Sequence, residues 1–305
     1  MIWLIGNKGM LGTELSNLIA SKKLPFVGTD REVDITSESS LADFARSLKE
    51  KGTPVDWIVN CAAYTAVDKA EDDRELCRAL NEEGIRNVAR VASQNGAKLL
   101  HVSTDYVFHG DGTRPYREDD PTDPTGYYGL TKRDGELAAL EENPNTWIIR
   151  TAWLYGAHGN NFVFTMLRLM KEREAISVVN DQRGTPTYAL DLADAMVRLV
   201  AAGSANPIDK AFAAPGIYHF SNLGNIVWHD FAVEIYKQGR ALGLLERDCA
   251  VNPCTSAEFP AKVRRPPYSV LDKAKISAAL SAADPSYRIP DWKESLGIFL
   301  ANIEK

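Results

Sequence analysis

The chain has 305 residues, 45% hydrophobic and 25% charged, with a net charge of −6 and a pI near 5.5. That is an ordinary globular composition, long enough for one large domain or two modest ones. The acidic balance argues against a broad nucleic-acid surface, while leaving room for a local basic pocket. No apolar stretch reaches the length of a membrane span, and no basic and apolar leader is visible. Cys61, Cys77, Cys249 and Cys254 are scattered without metal-type spacing, so reduced thiols and a cytoplasmic location are expected.

In chain order, the apolar run Met1–Ile5 leads into Gly6-Asn7-Lys8-Gly9-Met10-Leu11-Gly12. This reads as a buried strand, a tight turn and a helix start. Glycines are needed where backbone takes positive φ or approaches a diphosphate closely. The helix N-terminus beyond offers free N–H groups to phosphate. The spacing is G-x-x-G-x-x-G, not the commoner G-x-G-x-x-G, and a glycine turn that binds nothing is the plain alternative.

Thr13 to Ser21 is expected to be helical, and Pro25–Thr29 the second strand. A helix around Ser39–Lys51 precedes the strand Val55–Asn60. A single helix over Arg74–Gln94 precedes the strand Ala97–Val102, and a helix over Tyr127–Glu142 precedes the strand Thr146–Arg150. Apolar strands separated by helices of this length predict a Rossmann-type, doubly wound parallel sheet in an α/β fold. Ligands of such sheets sit at the carboxyl ends of the strands, here Gly6, Asp30, Asn60–Ala63 and Ser103–Asp105. From Trp153 onward loops lengthen and prolines cluster at Pro253, Pro260, Pro266 and Pro267. We therefore divide the chain into 1–152, a cofactor-binding domain, and 153–305, a smaller C-terminal substrate-binding lobe, with part of 187–202 returning to the sheet.

Tyr128 and Lys132 lie four apart and share a helix face, where the ammonium is expected to lower the phenol's pKa and ready it as a proton donor. His101, His109, His158, His219 and His229 are scattered and read as structural.

The glycine turn, Asn60-Cys61-Ala62-Ala63-Tyr64-Thr65-Ala66-Val67-Asp68-Lys69-Ala70-Glu71, Ser103–Phe108 and Tyr128-x-x-x-Lys132 together resemble the extended short-chain dehydrogenase/reductase superfamily. Within it the chain resembles the dTDP-4-dehydrorhamnose reductase family. Arg150–Gly156, Asn161-Phe162, Thr165–Leu169, Asn180–Thr187 and Arg265-Pro266 agree as well, so the resemblance covers nearly the whole chain.

The resemblance implies NAD(P)H-dependent reduction of the C4 ketone of dTDP-4-dehydro-β-L-rhamnose, with NADPH modestly preferred and NADH also usable. Gly6, Gly9, Met10, Leu11 and Gly12 are then expected to cradle the cofactor diphosphate. Asp30 would accept from the adenosine ribose, or be a turn residue only, while Arg31 beside it would favour a 2′-phosphate. Asp34 and Ile35 would line the adenine, and Ala62, Ala63, Tyr64 and Thr65 the nicotinamide half, Ala62 and Ala63 otherwise being core. Tyr128 would donate the proton, Lys132 hold the nicotinamide ribose, and Thr104 orient the ketone oxygen. Asp105, Tyr106 and Trp153 would face the sugar, Trp153 having ordinary core packing as its alternative. Arg265 would meet the nucleotide diphosphate, with Arg264 able to take that role.

Some relatives form dimers around Mg²⁺ held by glutamates of three segments. Glu14 matches the first, but Leu190 (beside Asp191) and Asn302 (near Glu304) stand at the others. Leu190 offers no oxygen, so no metal and a monomer or weak homodimer are expected. The resemblance also leaves a nucleotide-sugar epimerase or dehydratase, or a silent regulatory subunit like the β subunit of methionine adenosyltransferase.

Overall fold

Four-residue apolar runs that are buried from end to end can only sit in the middle of a sheet covered on both faces. The computed structural model, which describes residues 1–204, 213–259 and 261–303, places them there. Strands and helices alternate as β1 (Ile2–Ile5), α1 (Met10–Ser21), β2 (Phe26–Thr29), α2 (Glu38–Glu50) and β3 (Trp57–Asn60). Next come α3 (Arg74–Arg78), a π-helical turn (Ala79–Glu83), α4 (Gly84–Gln94), β4 (Lys98–Thr104), α5 (Tyr127–Glu142) and β5 (Thr146–Thr151). Beyond them lie β6 (Leu154–Tyr155), α6 (Phe162–Glu172), β7 (Ala175–Val179), β8 (Arg183–Gly184), β9 (Thr187–Tyr188) and α7 (Ala189–Ser204). The rest of the described chain holds β10 (Gly216–His219), β11 (Ile226–Val227), α8 (Trp228–Ala241), β12 (Ala250–Cys254), α9 (Ala274–Ala283) and α10 (Trp292–Ala301).

The central sheet is six-stranded and parallel, in the order β10-β5-β4-β3-β1-β2. Side chains alternate between its faces, as strand geometry requires. On β1, Ile2 and Leu4 enter a core with Leu15 of α1, Met196 of α7 and Ile276 of α9, while Trp3 and Ile5 enter one with Leu41 of α2 and Val88 of α4. The sheet's outer strand β10 and the helices α7 and α9 thus come from beyond residue 152. A separate core of Tyr155, Val163, Met170, Phe231, Trp292 and Phe299 holds the second lobe, whose strands form two-stranded ladders.

The single helix expected over Arg74–Gln94 is interrupted. Its π turn carries Asn81, which is fully buried and grips Tyr64 at both backbone groups, accepting from its N–H at 2.8 Å and donating to its carbonyl at 3.0 Å. Such turns displace one residue from the helical ladder, commonly at functional sites. Gly135 of α5 passes so close that an added Cβ would stand 2.0 Å from Asn81 O.

Candidate active site

The carboxyl ends of β1 to β4 converge, and the glycine turn sits among them. Gly6 takes φ +78°, and an added Cβ would lie 2.7 Å from Ala62 N; at Gly12 it would lie 2.0 Å from Gly6 O. No side chain other than hydrogen can occupy either position. Helix α1 starts at Met10 with neither a side-chain cap nor an acidic residue in its first turn, so its first N–H groups and positive dipole end are not claimed by a side chain. Asn7 Oδ1 beside them is buried and has no partner among the described residues. This cradle fits a phosphate-bearing dinucleotide. Leu11 is buried in the sheet core, so its contribution there is its backbone, while Met10 is half-buried and Gly9 exposed.

At the tip of β2, Asp30 is half-buried and Arg31 exposed. Asp30 N–H donates to Glu32 Oε1 at 2.9 Å, and Lys8 of the glycine turn reaches the other Glu32 oxygen at 3.4 Å. Sequence reasoning did not single out Lys8 or Glu32. Asp34 caps its own turn by accepting from Thr36 N–H and Oγ1, whereas Ile35 packs into the core against α2 and α4. Ala62, Ala63 and Tyr64 are half-buried along the edge, and Thr65 is exposed.

Thr104 ends β4, and Tyr128 and Lys132 enter from the first turns of α5. All are buried, at 6%, 9% and 2% exposure. The Thr104 hydroxyl donates to Asp105 Oδ1 at 3.0 Å and accepts from Tyr106 N–H at 3.2 Å. The Tyr128 ring meets Tyr106 edge-on at 5.6 Å.

The expected effect of Lys132 on the phenol is not what the geometry gives. Burial pushes the Tyr128 hydroxyl well up, with the neighbouring Thr104 hydroxyl pulling the other way. Lys132 Nζ donates to Val102 O at 2.7 Å and lies 3.3 Å from His101 Nε2. Sharing a helix face sets where two side chains start, not where their ends point. Burial lowers Lys132 itself to about 8, against the carboxylate of Glu136. Burial also raises Asp105 to about 6, against hydrogen bonds from Thr104 and Ser269.

The residues expected to face the substrate draw on distant parts of the chain. Asp68 accepts from Val263 N–H at 3.1 Å and from Arg265, and Lys262 pairs with Asp72. Arg265 is half-buried, with NH1 buried and without a partner among the described residues, whereas Arg264 is exposed. Trp153 holds φ +49°, unusual for a bulky residue. It is half-buried, stacked on Trp228 at 3.6 Å and pressed against Gly184, where an added Cβ would lie 2.6 Å from its ring. Of the residues weighed as metal ligands, Glu14 is buried on α1, Leu190 half-buried on α7, and Asp191 turned to Asn222 and Ser295. Asn302 caps α10, and Glu304 lies outside the described residues.

The profile of the family described as RmlD substrate binding domain matches residues 1–304. A dTDP-4-dehydrorhamnose reductase of Streptomyces griseus is 45% identical over 281 residues, 91% of this chain and 87% of that protein. Among solved structures, a dTDP-4-dehydrorhamnose reductase of Bacillus anthracis in complex with NADP is 35% identical with a TM-score of 0.86, covering 99% of both chains. The Clostridium acetobutylicum dTDP-4-dehydrorhamnose reductase is 37% identical with a TM-score of 0.84, covering 98% of both.

Proposed function

This chain belongs to the dTDP-4-dehydrorhamnose reductase family, and from that premise we propose that it reduces the C4 ketone of dTDP-4-dehydro-β-L-rhamnose to dTDP-β-L-rhamnose with NADPH or NADH. The observation that carries the reading is the convergence of Thr104, Tyr128 and Lys132 on the strand edge that holds the glycine cradle. The nicotinamide, when bound, supplies hydride to C4. Thr104 directs the ketone oxygen by a hydrogen bond, and Tyr128 gives it a proton as negative charge develops. A phenol kept neutral by burial is a donor that holds its proton until an alkoxide, the stronger base, forms beside it. Lys132 holds the ribose hydroxyls and steadies the phenolate left behind. Most of the acceleration comes from stabilising that oxyanion where water is excluded.

Residues 1–152 with the returning α7, β10 and α9 bind the cofactor, and the rest of the chain beyond 152 binds the sugar nucleotide. Arg265, with its spare NH1, is the better placed of the two arginines for the diphosphate, because Arg264 faces solvent. Trp153 presents an apolar wall to the deoxyhexose, and Asp105 and Tyr106 supply polar groups to it. Leu190 and Asn302 do not supply the carboxylates of a Mg²⁺ bridge, which supports a monomer or weak homodimer working without metal. Stoichiometric loss of nicotinamide absorbance on adding the 4-keto sugar nucleotide tests the reading. A tightly held cofactor recycled without net oxidation points instead to an epimerase or dehydratase, and no turnover at all to a regulatory subunit.

A further inference from the structure

Lys132 is supported by a second buried layer that the reaction as described leaves unused. His101 on β4 is fully buried and so is Asn60 at the end of β3. Besides Lys132, His101 meets Asn60, whose Nδ2 lies 3.1 Å from His101 Nδ1 and also donates to Ala62 O at 3.2 Å. Asn60 Oδ1 is buried without a partner among the described residues. We propose that His101 is a positioning residue for Lys132, and that the amide of Asn60, by choosing the imidazole tautomer, decides whether the amine or the ammonium is held. The proposal rests on the role given to Lys132 above.

The hydrogen count leads there. An amide nitrogen has only donors, so with Nδ2 against Nδ1 the imidazole carries its proton on Nε2. That N–H points at Lys132 Nζ, which accepts it only as the neutral amine. Turning the amide puts its carbonyl on Nδ1, moves the imidazole proton there and frees Nε2 to accept from the ammonium, at the loss of the bond to Ala62 O. Each arrangement fits one charge state of Lys132. Imidazole tautomers are commonly fixed in this way by the bond to the other ring nitrogen. His101 cannot answer by charging, because burial and the neighbouring lysine hold it well below its ordinary value.

The other groups facing Lys132 do not take over this role. Glu136 on its own helix raises it and is engaged by Arg150; Cys61 after β3 and Cys77 on α3 are thiols raised by burial.

The test follows NADPH binding by nicotinamide fluorescence, and kcat, across pH in the full chain. When Lys132 works as the ammonium, the amide is turned and His101 Nε2 accepts from it; His101→Leu removes that acceptor, so the alkaline limb should move down by about one pH unit and kcat at neutral pH should fall about tenfold or more. His101→Gln keeps an acceptor and should recover most of both. Asn60→Asp, which can only accept from Nδ1–H, should move the limb up. Limbs that coincide in all folded variants overturn the proposal, as does a His101→Gln no better than His101→Leu. The new carboxylate also raises Lys132 by its charge alone, so Asn60→Asp is compared in the His101 and His101→Gln backgrounds; should the leucine variant not fold, a larger shift with His101 supports the proposal and equal shifts overturn it. Absence of turnover in the unmodified protein would instead sink the reductase reading, because the binding limb still reports on Lys132.

Discussion

Lys132 and Glu136 stand one turn apart on α5, both buried to within 2% exposure, yet in opposite surroundings. Glu136 receives Arg150 in a bidentate pair, Nε at 2.9 Å and NH2 at 2.7 Å, and that arginine also lies over the Phe108 ring at 5.0 Å. The pair fastens α5 to β5 with both carboxylate oxygens engaged. Among the described residues Lys132 meets only a carbonyl and an imidazole, and burial lowers it to about 8. A closed pair holds the helix, while the lysine one turn away has no salt-bridge partner among the described residues. Stability and chemistry are thus set by how completely a buried charge is matched.

The comparison is broken most severely at Tyr128, on the open side. Tyr128→Phe keeps the ring that packs edge-on against Tyr106 and removes only the hydroxyl that carries the proton. We expect kcat to fall by about 10²–10⁴-fold, with cofactor affinity and melting temperature nearly unchanged. Retention of more than about a tenth of the wild-type rate would take Tyr128 out of the acid role.

On the closed side the reverse is expected. Arg150→Met leaves Glu136 buried and unpaired, which should cost about 3–5 kcal/mol in urea unfolding. A loss below about 1 kcal/mol would mean that Glu136 relaxes to solvent or takes up a proton, as surface pairs allow, and the contrast between the two turns would vanish.

Asp105 sharpens the contrast from the reactive edge. Its folded-state pKa is raised to about 6, above its unfolded value near 3.9. The raised acid contributes stability below pH ~4, and that contribution is lost as pH rises through about 6. Asp105→Asn should therefore gain roughly 1–3 kcal/mol at pH 7 and much less at pH ~4, while weakening sugar binding. An equal effect at both pH values would show that the carboxylate is not the source of the cost.

Much of this was legible in the chain because it follows from local pattern. Helix α5 has the expected bounds, and the strands at β1 and β3 to β5 are apolar runs that have few other uses. What failed to show depends on partners distant in sequence. Gly216–His219 is only partly buried and does not announce that it borders β5. The π turn at Ala79–Glu83 leaves the apolar rhythm of its helix intact. The meeting of His101 with Lys132 is equally invisible, since nothing local says that β4 aims one at the other. The Tyr128 shift runs opposite to what the spacing predicts for the same reason: spacing gives a shared face, while burial and hydrogen bonds decide the charge.

The smallest expected effect lies farthest from α5, at the tip of β2, where matching is looser still. Asp30 is half-buried, its backbone N–H is held by Glu32, and the exposed Arg31 follows it. A carboxylate here can accept from ribose hydroxyls but repels a 2′-phosphate, whereas Arg31 attracts one. Asp30→Ala should therefore raise the Kd for NADH by about three- to tenfold, the range of one hydrogen bond to a charged group reduced by solvent. The Kd for NADPH should change by less than about twofold or even fall, because the lost acceptor is offset by the lost repulsion. Nicotinamide fluorescence titrations of both cofactors check this without turnover. Equal losses would reduce Asp30 to a turn residue, and cofactor choice would then rest on Arg31 and on the Lys8–Glu32 pair beside it.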